Sequence, residues 1–137
     1  MPWAIEYIAE KEMASLVVTG DIEDEDCGCQ VAETTRLLNE HEARLVLVDC
    51  SDSETKASLP GLYRLPDYAT QLGAPWNARV AVVVSRTRFR IETFQFFELV
   101  FRNAGYDVRL FDDRQSAEGW LNRPRTARAG LTQAASA

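Results

Sequence analysis

Residues 45–65 read LVLVDCSDSETKASLPGLYRL, and the fold turns on how this stretch is divided. Arg44 to Asp49 (RLVLVD) is a short, continuous, β-branched apolar run, the pattern of a central strand deeply placed in a sheet. The run meets Asp49, after which Ser51, Ser53, Thr55 and Ser58 crowd a segment predicted to be a loop over residues 49–58. A Ser-Leu-Pro-Gly-Leu sequence then opens the next element. Ser58 suits the N-cap of that helix and Pro60 its first turn. Pro66 lies deeper in SLPGLYRLPDYATQLG, where a proline is expected to break or kink the helix.

The neighbouring segments repeat this strand-then-helix layout. Arg79 to Ser85 (RVAVVVS) is a second apolar run and Val108 to Phe111 (VRLF) a third, separated by helical segments, so these strands are most economically parallel. On the N-terminal side, Ala4 to Ala9 (AIEYIA) and Ser15 to Thr19 (SLVVT) flank a polar EKEM, which predicts a hairpin whose first strand is a half-buried edge. GDIEDEDCGCQVAETTRLLNEH follows as an amphipathic helix. Asp21 is its expected N-cap, and Glu23, Asp24, Glu25 and Asp26 crowd a helix start where the macrodipole favours negative charge. Cys27, Val31, Thr34 and Leu38 share one face of it.

The helix FRIETFQFFELVFRNAG places Phe94, Phe97, Phe101 and Ala104 on a face flanked by Ile91 and Val100, with Gly105 as its C-terminal cap. DDRQSAEGWL, with Asp112 or Asp113 as N-cap, closes the chain with a short helix burying Trp120 and Leu121. The expected architecture is α/β: a single mixed, mainly parallel five-stranded sheet with about four helices, in the order β-β-α-β-α-β-α-β-α. One domain over residues 1–121 accounts for it, with 122–137 (NRPRTARAGLTQAASA) expected to be a disordered tail.

Charge narrows the functional classes. The chain of 137 residues carries a net charge of −6; three arginines and no acid lie in the tail, so residues 1–121 hold 12 basic and 21 acidic residues, a net of −9. Such a body repels phosphate backbones, which argues against nucleic acid as a partner. No segment reaches the roughly 20 apolar residues of a membrane span, and MPWAIEYIAEKE lacks the layout of a signal peptide. A cytoplasmic protein with its three cysteines reduced is the expectation.

Catalytic motifs are scarce. The one histidine, His41, sits near a helix C-terminus, and no Gly-x-Ser-x-Gly elbow accompanies it. Cys27 and Cys29 are two apart, so on a helix they point about 200° from each other and cannot share a metal. Neither glycine-rich phosphate loop occurs. No metal and no cofactor are expected. Asp49 and Asp52 are the remaining carboxylate pair for an enzyme, a class that needs a cleft and a raised pKa.

The opening stretch is therefore the candidate binding region, through Asp49, Ser51, Ser53, Ser58 and Tyr63. Ligands gather at the carboxyl ends of parallel strands in open α/β sheets, and these hydroxyls can bind an anion or accept phosphate at a helix N-terminus. Phe89, Phe96 and Leu99 lie off the buried face of the third helix and are candidates for an interface with a partner or a second copy in a homodimer.

The order of elements, the LVLVDCS strand, the LYRLPDY segment and above all FFELVFRNAGYDVRLFDDRQSAEGWL resemble the SpoIIAA-like family, with the fold of STAS domains, over residues 3–121. The resemblance implies the anti-sigma factor antagonist class. There, a serine at the start of the helix after the third strand, in an Asp-Ser-Ser-Gly-type motif, is phosphorylated by an anti-sigma kinase to prevent partner binding. Ser58 falls at that position and is the phosphorylation candidate; Ala57 stands where the motif has its acid, and Leu59-Pro60 where it has Ser-Gly. A non-enzymatic regulatory or interaction module follows, binding a protein partner or a small apolar or anionic ligand near residues 49–65.

Overall fold

A computed structural model describes residues 3–85 and 91–123. Five strands and four α-helices follow one another as β1 (Trp3–Ile8), β2 (Met13–Ile22), α1 (Asp24–His41), β3 (Leu45–Thr55), α2 (Leu59–Gln71), β4 (Arg79–Val83), α3 (Ile91–Asn103), β5 (Asp107–Phe111) and α4 (Arg114–Leu121). The sheet order is β1-β2-β3-β4-β5, with β1 antiparallel to β2 and every other pair parallel. This is the expected mixed α/β sheet with its hairpin edge. The hairpin turns through a 3₁₀ segment at Ala9–Lys11, and Glu12 takes the left-handed conformation at φ 50° to reverse the chain.

Side chains alternate across the sheet and feed two layers. Leu16, Val18, Val82 and Val108 pack with Leu62, Leu65 and Phe101 under the helical layer, where α2 lies between α1 and α3. On the opposite face Met13, Leu47, Ala81 and Val83 pack against Ala117, Trp120 and Leu121 of α4. That short helix reaches β3, β4 and β5. Over the β1–β2 half of the same face Ala4 and Glu6 are exposed, and Val17 is 42% exposed.

Four local expectations change. Residues 49–55, expected as loop, continue β3 to Thr55; β2 likewise runs beyond Thr19 to Ile22 and pairs with the extension, Gly20 opposite Ser53 and Ile22 opposite Thr55. A bulge between Val17 and Thr19 shifts the register, because β3 has one more residue there than β2. The serines and threonine read as loop formers are here small inward or edge residues of a two-stranded ribbon, since β4 ends opposite Asp49. The N-cap of α1 is Glu23 rather than Asp21: the Glu23 N–H donates to Asp26 Oδ2 at 2.9 Å, while Asp21 remains in β2 and pairs with Lys56 at 3.3 Å.

Pro66 does not end α2, which continues to Gln71 with Pro66 buried inside it and the Thr70 hydroxyl donating to its carbonyl at 3.0 Å. Burial of Leu62, Leu65, Pro66 and Ala69 along one face outweighs the hydrogen bond the proline removes. Ala104, read as the end of the buried face of α3, lies past the helix end and is exposed. Of the two aspartates proposed to cap α4, Asp113 does so, accepting from Ser116 N at 2.7 Å.

Candidate functional site

Extension of β3 to Thr55 leaves only Lys56, Ala57 and Ser58 between strand and helix. Ser58 has extended backbone angles and its Oγ accepts from Gly61 N at 3.0 Å, an N-cap in the ordinary sense. The same hydroxyl donates to Asp24 Oδ2 at 2.7 Å, and the Ser58 N–H donates to Asp24 Oδ1 at 2.7 Å. Asp24 is the first residue of α1, so one carboxylate ties the N-terminal ends of two helices together. Two hydrogen bonds from Ser58, aided by the charge of Arg64, hold its carboxyl below the usual aspartate range.

Gly61 makes this approach possible. A Cβ there would lie 2.5 Å from Asp24 Oδ1 and 2.7 Å from its Cγ, closer than carbon and oxygen tolerate. The serine, the glycine and the acid thus form one cluster, although the acid comes from α1, 34 residues upstream, and not from the residue preceding the serine. In the sequence Asp24 is one of four acids that answer the helix dipole. Nothing in the local sequence marks its contact with Ser58, which depends on where α1 and α2 sit on the sheet.

The other predicted binding residues separate. Asp49 faces α4: its Oδ1 accepts from the Ser51 N–H at 3.1 Å and the Ser51 hydroxyl at 2.6 Å, and Arg114 stands 3.5 Å from Oδ2. Arg114 also reaches Glu118 at 3.2 Å, whose carboxyl is held below its ordinary range by Lys11 at 2.8 Å and by Arg114. Ser53 turns to the helical side, is buried, and donates to the Cys50 carbonyl at 3.1 Å. Tyr63 stands on the outer face of α2, 70% exposed, one turn after the exposed Leu59. Asp52 is exposed on β3.

Of the interface candidates, Leu99 is 54% exposed, Phe96 is partly buried against the core, and Phe89 lies outside the described residues.

Behind the cluster, α1, α2, α3 and the sheet line a partly open apolar pocket of about 120 Å³, walled by Cys27, Val31, Val48, Leu65, Phe97 and Phe101 among others. A second space of about 60 Å³ adjoins it toward Ser53 and Thr55, sharing Cys27, Gln30, Val48 and Phe97. Burial, with Asp24 and Asp26 nearby, pushes the Cys27 thiol up to about 12, and burial raises that of Cys50 to about 12 as well. Both are neutral wall groups at ordinary pH. Among the described residues no three His, Cys, Asp or Glu side chains come together as a metal site, and no helix is long and apolar enough to cross a membrane.

No family profile and no curated protein matches the chain. Solved structures do. An uncharacterised protein of the DUF3478 family with a SpoIIAA-like fold, from Shewanella loihica PV-4, is similar at a TM-score of 0.58 and 15% identity over 87% of this chain and 93% of its own. The anti-sigma factor antagonist SpoIIAA in its unphosphorylated form is similar at a TM-score of 0.51 and 10% identity, over 83% of this chain and 91% of its own. The five-stranded mixed sheet with its four helices has the SpoIIAA-like, STAS-type fold.

Proposed function

We propose that the protein is a non-enzymatic regulatory module that binds a protein partner on the surface around the N-terminal end of α2. The observation that carries this is the Asp24–Ser58–Gly61 cluster beside exposed Leu59 and Tyr63. Leu59 and Tyr63 expose apolar side chains one turn apart at the end of α2 where Ser58 holds Asp24, and Glu23, Asp24 and Glu25 are exposed at the start of α1, which suits a partner presenting apolar and basic groups. Asp49, the leading carboxylate for an enzyme, is engaged by Ser51 and Arg114, so the catalytic alternative with Asp52 has less to recommend it.

Native mass spectrometry of the protein isolated from its own cells tests the proposal, run beside Leu59→Ser and Tyr63→Ser variants of unchanged stability. A protein partner retained by the parent chain and lost from both variants is the expected result. A parent chain that carries no partner, or variants that keep it, would overturn the proposal.

Phosphorylation of Ser58 is a second reading, favoured by the exposure of this residue at a helix N-terminus, with its hydroxyl hydrogen-bonded to a carboxylate at 2.7 Å. A phosphoryl group there removes the proton that Ser58 gives Asp24 and sets about −1.5 to −2 charges against it. The likeness of fold to an antagonist supports the idea that such an event closes the partner surface. Phosphopeptide mapping of the same sample is the check; an unmodified Ser58 under every growth condition tried argues against it.

A further inference from the structure

The inner face of α2 borders both spaces under the helical layer: Leu62 walls the smaller one, and Leu65 and Ala69 wall the larger. A side chain that faces a space forfeits the dispersion contacts of that side. The helix also lies against α1 and α3 more than against any strand, so the polar ties at its two ends carry more of its hold. At the N-terminal end the tie is Asp24, which accepts from the Ser58 N–H and from the Ser58 hydroxyl, both at 2.7 Å. At the C-terminal end the Asn39 amide donates to the Gly73 carbonyl at 3.0 Å, and the Tyr106 hydroxyl meets that of Thr70 at 2.7 Å. Pro66 stands between the two ends and has no N–H to give the Leu62 carbonyl, so the helix is weakened where its halves join.

We infer that α2 is a latched lid: its N-terminal half, residues 59–65, releases about Pro66 when the Asp24–Ser58 contact opens, while the end held by Asn39 and Tyr106 stays in place. Leu62 and Leu65 are buried, so the closed form predominates and the open one is a minor excursion. A released half-helix of two turns has no stability of its own and unwinds. Leu59 and Tyr63 belong to that half and move with it. An event at the latch, such as a partner's cation drawing Asp24 away from Ser58, is thereby converted into a change of the surface proposed for partner binding. The lid adds a regulatory step to that reading without resting on it: the lid is measured on the isolated chain and the partner by retention from cells, so either can fail alone.

Cys50 is an internal reporter of the lid, because it is buried and walls the smaller space together with Leu62. In a chain carrying Cys27→Ala and Cys29→Ala it is the one thiol left. Its labelling by iodoacetamide, followed by mass spectrometry well below the unfolding midpoint in urea, then measures local opening. Asp24→Ala and Ser58→Ala are each expected to speed the labelling about tenfold. Amide exchange is expected to rise with it from Leu62 to Leu65 and to stay at the parent rate from Gln71 to Ala74. Ser58 also caps α2, whereas Asp24→Ala leaves that cap intact, so the Asp24 variant isolates the latch; Asp24→Asn takes its place if Asp24→Ala does not fold. Labelling unchanged in the Asp24 variant, or exchange raised equally from Leu62 through Ala74, would overturn the inference.

Discussion

At the scale of single residues, the contact between Asp24 and Ser58 needs a hydroxyl, a carboxylate and a missing side chain at once. Gly61→Ala places a methyl group where the carboxylate lies, so Asp24 must turn away and both hydrogen bonds to Ser58 are lost. The expected net change in urea unfolding is a loss of up to about 2 kcal/mol, the lost hydrogen bonds outweighing the roughly 1 kcal/mol that alanine gains over glycine in a helix; a net gain in stability would mean the cluster contributes less than that propensity. The contribution of Asp24 has a definite sign with pH. Its folded value lies below the ordinary one, so its stabilisation is complete above the unfolded value of about 3.9 and disappears as pH falls through the lowered value. The stability gap between the parent chain and Asp24→Ala is therefore expected to be present at pH 7 and to shrink in acid. A gap of equal size at pH 7 and pH 2 would show that the carboxylate's charge is irrelevant.

The cysteines offer a second residue-scale check. Cys29 is exposed, Cys50 is buried, and Cys27 is a partly buried wall residue with a raised thiol pKa. Iodoacetamide at pH 8 is expected to add one group per folded chain, at Cys29, and three after unfolding in urea. Mass spectra with two or three adducts on the folded chain would show that the helical layer opens readily over Cys27 and Cys50.

At the scale of elements, the extension of β3 is where sequence and structure part most. The run LVLVD declares a strand through its apolar continuity, whereas CSDSET has the composition of a turn and forms strand because β2 is long enough to pair with it. A partner supplied from 33 residues upstream, Gly20 opposite Ser53, is a tertiary cause, and local propensity does not register it. Pro66 is a parallel case: the break expected from its missing N–H is overruled by the buried face of α2. By contrast Ser58, Pro60 and Asp113 act through neighbours within three residues, and their capping roles are legible from sequence.

The extension also differs energetically from the strand it prolongs. Residues 45–49 are flanked by β2 and β4, while residues 52–55 pair with β2 alone. Amide exchange is therefore expected to be slow across Val46 to Val48 and distinctly faster from Asp52 to Glu54, reporting local opening of the ribbon. Uniform protection from Leu45 to Thr55 would mean that the ribbon opens only with the whole fold.

For the molecule as a whole, the sheet separates two apolar layers of unequal size, and the strands are common to both. Val46 belongs to the helical layer and Leu47 to the layer under α4, although the two are neighbours in one strand. Neither layer can lose its packing without loosening the strands that support the other, so unfolding is expected to be a single transition. Leu47 is fully buried, and Leu47→Ala should cost about 2–5 kcal/mol. Leu65→Ala, across the sheet in the helical layer, should cost a similar amount, and the two losses should add to within about 0.5 kcal/mol because the side chains share no partners. The decisive observation is the shape of the unfolding curve in Leu47→Ala. If near-UV and far-UV signals still coincide, the α4 layer and the helical layer are one cooperative unit. Two separated transitions would instead make the α4 layer a dispensable cover over strands that the helical layer holds by itself.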